Sequence, residues 1–245
     1  MTFIMSFLTE NGITMASDSK VTYLPDFRVD NNLDYKKTNY YSDLNCGVSI
    51  WGKLKINNDW FWKWFEEIRE SYFEKKLSNL DQFPNYLAIT LNNLNINVNT
   101  GIHLAFYKEF ENRMRPVIYH ITNDRPNYEF IAQKDCYPLN DNDSFILING
   151  AYEPFSGAYS SLKKYILKVR NKFLDAKQNN PNLLETNRTP ESRLKKECEY
   201  IISTIRQYQA IMEMTGVKRI IGEPINAACF NRKGLIKEYS KIHFI

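Results

Sequence analysis

Nothing in this 245-residue chain approaches a run of about 18 apolar residues, so no helix is expected to cross a membrane. The apolar start, Phe3 to Leu8, is too short for a signal-peptide core and meets Glu10 almost at once. Cysteine is scarce and scattered: Cys46, Cys136, Cys198 and Cys229 show neither zinc nor redox spacing, which fits reduced thiols in a cytoplasmic protein. His103, His120 and His243 are equally dispersed, with no carboxylate spacing that would build a zinc site, so neither metal nor cofactor is expected. A strong charge of either sign is missing too. Lys and Arg number 32 against 28 Asp and Glu, interspersed, and a net +4 gives no support to a nucleic-acid partner. Internal repeats and low-complexity tracts are absent.

What the chain does have is a 43% share of hydrophobic residues, enough for a real core. The organising stretch is the start, MTFIMSFLTENGITMASDSKVT. Thr2 to Thr9 reads as a strand, Asn11-Gly12 as a two-residue turn, and Ile13 to Ala16 as the return strand. The polar cluster Ser17-Asp18-Ser19-Lys20 then arrives where apolar residues should continue, the ordinary pattern of a strand leaving for solvent.

The first two residues add chemistry. Met1 precedes the small Thr2, which favours removal of the initiator and leaves a free α-amine beside a hydroxyl, a base and a nucleophile on one residue. An α-amine with an ordinary pKa of about 7.7–8.0 is partly free base near neutrality and can take the hydroxyl proton. A nearby lysine would lower that pKa further, and a buried carboxylate would hold the lysine. Asp18 and the pair Lys36-Lys37 are the groups on offer; on a strand only one of two adjacent lysines faces inward, and Lys37 is the one expected to do so.

Further along, residues 35–52 read as a second hairpin, with Cys46 to Trp51 as its return strand. Phe61, Trp64, Phe65, Ile68 and Tyr72 fall at helical spacing, with Asn58 or Asp59 as caps. Leu80 to Asn95 predicts another helix with Pro84 in its first turn. Four strands follow: Ile102 to Tyr107, Met114 to Ile121, Tyr128 to Ala132 and Ser144 to Ile148. Helices are predicted over Ser156 to Ala176 and from Thr189-Pro190 to Glu213, separated by a polar loop. Two last strands, Pro224 to Phe230 and Leu235 to Tyr239, flank a turn at Asn231 to Gly234. Two antiparallel sheets packed face to face, with helices outside both, would bury every apolar face, an α+β fold in four αββα layers.

The start resembles the β-type subunits of the proteasome, a branch of the N-terminal-nucleophile hydrolases. The resemblance rests on Thr2, Gly12, the string Ala16-Ser17-Asp18-Ser19-Lys20-Val21-Thr22 and Tyr35-Lys36-Lys37, with about three extra residues in a loop between Leu24 and Asp34. It runs over residues 2–52 and more loosely over 145–235, where Ile221-Gly222-Glu223-Pro224-Ile225 is similar to the closing strand of the Anbu-type bacterial homologues. It implies one four-layer sandwich domain over 1–245, with Thr2 as nucleophile and Asp18 and Lys37 as its charge partners. Thr22, in Ser19-Lys20-Val21-Thr22, would align the substrate through its backbone. Gly52 is the candidate for the oxyanion N–H, with Trp51 beside it narrowing the pocket. Val21, Ser49 and Lys53 would line that pocket, and Asn149-Gly150 stands where the family has a turn that orients the N-terminal amine. The family's late aspartate is not matched: Met212 stands in its place, with Glu213 one position off before Met214-Thr215-Gly216.

A peptide or protein substrate, a homo-oligomer and an unfolding ATPase partner are implied with the threonine peptidase reading. A transpeptidase would use the same Thr2. A catalytically silent assembly or binding subunit is the reading of a different class. The missing late aspartate favours it, and the intact Thr2, Asp18 and Lys37 set argues against it.

Overall fold

The computed structural model describes residues 3–23, 28–74, 79–124, 127–136, 144–150, 189–214 and 223–242, with isolated positions between 161 and 179. Met1, Thr2, Leu24, most of the predicted loop at 179–189, Thr215-Gly216 and Ile221-Gly222 lie outside the described residues. Three hairpins open the chain: β1 (Ile4–Thr9) with β2 (Gly12–Asp18), β3 (Lys20–Tyr23) with β4 (Arg28–Asp34), and β5 (Thr38–Tyr41) with β6 (Cys46–Trp51). The short strands β7 (Lys55–Ile56) and β8 (Asp59–Trp60) lead into α1 (Phe61–Glu74) and α2 (Phe83–Asn92). Next come β9 (Gly101–Phe110), β10 (Arg113–Thr122), β11 (Ile131–Cys136) and β12 (Phe145–Asn149). The chain closes with α3 (Pro190–Met214), β13 (Ile225–Asn231) and β14 (Gly234–Ile242).

Several sequence expectations shift. The segment between Leu24 and Asp34, expected to be a loop, contains β4, which pairs with β3. Asn58 and Asp59 do not cap α1: Asn57 and Asn58 adopt left-handed backbone angles in the tight turn between β7 and β8, which an asparagine tolerates. The strand expected over Tyr128 to Ala132 begins instead at Ile131. The second helix is shorter than its apolar pattern suggested and holds Pro84 in its first turn. Within the helix predicted over 156–176, the described positions are helical.

The strands form two five-stranded antiparallel sheets, in the orders β12-β1-β2-β13-β14 and β11-β10-β9-β6-β5. Period-2 alternation explains their faces. In the first sheet Met5, Phe7, Ala16, Ala227 and Cys229 pack with Leu194, Cys198, Ile201 and Ile205, the apolar stripe of α3. In the second, Val48, Ile50, Ile102, Leu104 and Val117 pack with Phe61, Trp64 and Phe65 of α1 and Phe83, Leu87 and Leu91 of α2. The intervening residues meet from both sheets: Leu8, Ile13, Met15 and Phe230 against Ala105 and Ile118.

The opening hairpin is fastened to α3. Ser192 donates its backbone N–H to Thr189 Oγ1 at 3.2 Å, capping the helix start beside Pro190. Three residues into the apolar stripe, Glu197 accepts hydrogen bonds from Thr9 Oγ1 and Asn11 Nδ2, both at 2.8 Å. Thr9 pairs with Gly12, so Glu10 and Asn11 occupy the turn and Gly12 opens the return strand, one residue earlier than the sequence suggested. A Cβ on Gly12 would stand 2.5 Å from the Phe230 carbonyl oxygen, which explains why glycine is needed there.

Candidate active site

At the end of the first hairpin furthest from its turn, Asp18 stops being a solvent-bound strand end. Its carboxylate is fully buried, and Oδ1 accepts the Phe3 backbone N–H at 2.8 Å and the Lys37 ammonium at 2.9 Å. Asp18 N–H donates back to the Phe3 carbonyl at 3.1 Å, so the two residues are clamped in both directions. Lys37 enters from the other sheet, immediately before β5, with its carbonyl accepting the Ile50 N–H at 2.9 Å. Its ammonium also donates to the carbonyl of Lys20, which follows Asp18 by two positions.

Alternation turns the neighbouring lysine outward: Lys36 makes a half-exposed ion pair with Glu238 at 2.6 Å. Burial pulls the Lys37 ammonium below the ordinary lysine range, and the Asp18 carboxylate acts against that pull. A buried pair of this kind survives only because each charge has its partner and further hydrogen bonds.

The other predicted residues fall around this pair. Ser19 is buried, its hydroxyl accepting from Asn226 Nδ2, and its carbonyl accepts the Tyr35 N–H at 2.9 Å. Lys20 is half-buried and Val21 is buried on β3, the strand that also holds Thr22. Ser49 is buried, with Oγ 2.9 Å from Thr38 Oγ1, so its hydroxyl already has a partner inside the protein. Trp51 folds its indole over Gly101, its cross-strand partner, and towards the ring of His120.

Gly52 follows β6 with φ +86°, and a Cβ there would lie 2.3 Å from the Asn99 carbonyl oxygen. Glycine is thus required by the backbone itself, whatever else its N–H does. Asn149 ends β12 opposite Ile4, and its Oδ1 lies 2.7 Å from His103 Nε2. Glu213, the acid nearest the position of the missing late aspartate, is exposed near the end of α3.

His103 is the residue that sequence reasoning passed over. It sits in Ile102-His103-Leu104-Ala105, where an isolated polar residue in an apolar strand signals a polar spot on the inner face. Its Nδ1 lies 2.9 Å from Ser6 Oγ, and its ring meets His120 edge-on at 5.3 Å between centroids. Cross-strand pairing sets Thr38, Ser49, His103 and His120 in one polar row across β5, β6, β9 and β10. Among the described residues, no cluster of His, Cys, Asp or Glu could hold a metal ion. No helix among them is long and apolar enough to cross a membrane.

No family model and no curated protein matches the chain. In structure the chain is similar to the (Gly-1) mutant of Anbu from Hyphomicrobium sp. strain MC1, with a TM-score of 0.52 over 98% of this chain and 86% of that one. At 14% identity the likeness shows the fold alone, a proteasome-like arrangement of antiparallel sheets and helices.

Proposed function

We propose that this chain is an N-terminal threonine amide hydrolase on a four-layer αββα sandwich, acting through an acyl-enzyme on Thr2 once Met1 is removed. One observation carries the reading. The carboxylate oxygen that takes the Lys37 ammonium also takes the Phe3 N–H, so residue 2 is attached one peptide bond from a buried, oriented ion pair. An ammonium has three donors. Among the described residues Asp18 and Lys20 accept two of them, and in this reading the third serves charge at the head of the chain.

In this reading the Thr2 hydroxyl attacks a peptide carbonyl while its own α-amine takes the hydroxyl proton. The Lys37 charge stabilises the free-base amine and the developing oxyanion. Collapse of the tetrahedral adduct expels the leaving amine, which takes the proton back, and leaves an ester. Water, deprotonated by the same α-amine, then releases the acid and restores Thr2. Assembly into a homo-oligomer belongs to the same reading.

Intact-protein mass spectrometry before and after an excess of a threonine-directed β-lactone tests it. Loss of Met1 and gain of one adduct, absent from Thr2→Ala, is the expected result. A retained Met1, or a trimmed Thr2 that stays unreactive, would overturn the enzymatic reading in favour of a silent subunit.

A further inference from the structure

We propose that His103 is a positioning residue that sets the carboxamide of Asn149 for the reaction at Thr2; the role rests on the hydrolase reading above. His103 reaches across from the second sheet to two neighbouring strands of the first. Ser6 Oγ on β1 lies 2.9 Å from Nδ1, and Asn149 Oδ1 on β12 lies 2.7 Å from Nε2. A neutral imidazole carries one donor and one acceptor, and a carboxamide oxygen only accepts. The proton therefore sits on Nε2 and is donated to Asn149, while Nδ1 accepts the Ser6 hydroxyl. The ring is held neutral by its surroundings: burial pulls its pKa well below the ordinary value, and neighbouring His120 pushes the same way.

The consequence lies at the far end of this relay. Asn149 pairs with Ile4, which follows Thr2 by two residues in the sequence, and it is half-buried where Ser6 and His103 are fully buried. With its oxygen held by the imidazole, the amide must turn its two N–H donors away from His103. The relay thus fixes a pair of donors beside β1, the strand that begins two residues after Thr2 in the sequence. A hydroxyl and an amide bound to the two ring nitrogens hold that orientation more narrowly than either contact alone, because the tautomer and the ring plane are both specified.

The rate of Thr2 acylation by a β-lactone, followed by intact mass over a series of lactone concentrations, reads this directly. His103→Leu and Asn149→Ala are each expected to slow the rate at saturation by about tenfold, with the half-saturating concentration unchanged. The double variant is expected to be no slower than either single one, since both remove the same orientation. His103→Gln, whose amide nitrogen can replace Nε2 as donor, is expected to recover most of the rate. Ser6→Ala leaves a much smaller gap and is expected to give a smaller loss in the same direction, which serves where His103→Leu does not fold.

Losses that multiply in the double variant would overturn the positioning role and leave the Thr2 reading standing. So would wild-type rates in His103→Leu or Ser6→Ala. A wild-type protein that has lost Met1 and does not react overturns the Thr2 reading first, and the positioning role with it.

Discussion

The two ends of the layer between the sheets are filled by opposite chemistry. Beside the Glu10-Asn11 turn it is apolar: Leu8, Ile13, Met15, Ala105, Ile118 and Phe230 are all but sealed from water. At the head of β1 it is polar, and the same depth of burial holds Ser6, Ser17, Asp18, Lys37, Thr38, Ser49 and His103. Strands β1, β2 and β9 contribute to both ends, so on those strands the contrast comes from the side chains and not from the backbone. Burying apolar side chains stabilises at about 25 cal/mol per Å². Burying hydroxyls, an imidazole and an ion pair costs free energy unless each group is met by a partner. One end holds the two sheets together, and the other carries an oriented set of polar groups that folding alone would not select.

The contrast can be broken hardest at Lys37. Lys37→Met leaves the Asp18 carboxylate buried without its cation, which should cost about 3–5 kcal/mol in urea unfolding. It should also abolish lactone labelling of Thr2. A variant that unfolds at the wild-type urea concentration would show that the pair is not the uncompensated charge its burial implies.

Phe230→Ala attacks the opposite end. Phe230 is fully buried and packs against the Tyr40 ring with centroids 5.0 Å apart, so truncation should cost about 3–5 kcal/mol through the cavity left behind. Labelling of the folded fraction should proceed at the wild-type rate. A matched loss of labelling would mean that the two ends are not separable.

Acid offers a smaller and graded test of the polar end. Burial lowers the His120 pKa from 6.5 to about 4. Between those values the unfolded chain takes up a proton that the folded protein refuses, so stability is full above pH 6.5 and falls as pH drops towards 4. The loss should approach about 3 kcal/mol for His120 alone. His103 shifts in the same direction and should add to it. Urea midpoints that do not fall on acidification through this range would contradict a buried neutral imidazole pair.

The smallest effect is a gain. Ser17 is fully buried, and its hydroxyl has no hydrogen-bond partner among the described residues. Ser17→Ala should therefore stabilise the protein by about 1 kcal/mol, read as a rise in thermal midpoint. A loss instead would reveal a partner for that hydroxyl.

Much of the fold was legible because it is local. The opening hairpin, the Thr189-Pro190 helix start and the hairpin closed at Gly234 each depend on residues a few positions apart, and each stands close to where its pattern put it. Where the pattern failed, a local signal had two meanings. Asn58 and Asp59 suit a helix cap and a tight turn equally, and short β7 and β8 decided for the turn. Leu24 to Asp34 carries too many polar residues to announce a strand, yet backbone pairing with β3 makes one.

The sequence by itself determined the alternation that gives every strand two faces, the order of the elements and the presence of Asp18 and Lys37 at their spacing. Only the tertiary structure decided what those faces meet. Gly12 and Gly52 have their reasons in carbonyls of Phe230 and Asn99, far along the chain or across a loop. Lys37 finds Asp18 by crossing from one sheet to the other, and His103 joins Ser6 to Asn149 over separations of 97 and 46 residues. Strand periodicity comes from the chirality and pleat of the backbone and is written residue by residue. The partner of a buried polar group is chosen by whichever distant strand packing brings within hydrogen-bond reach, and no spacing in the sequence encodes that meeting.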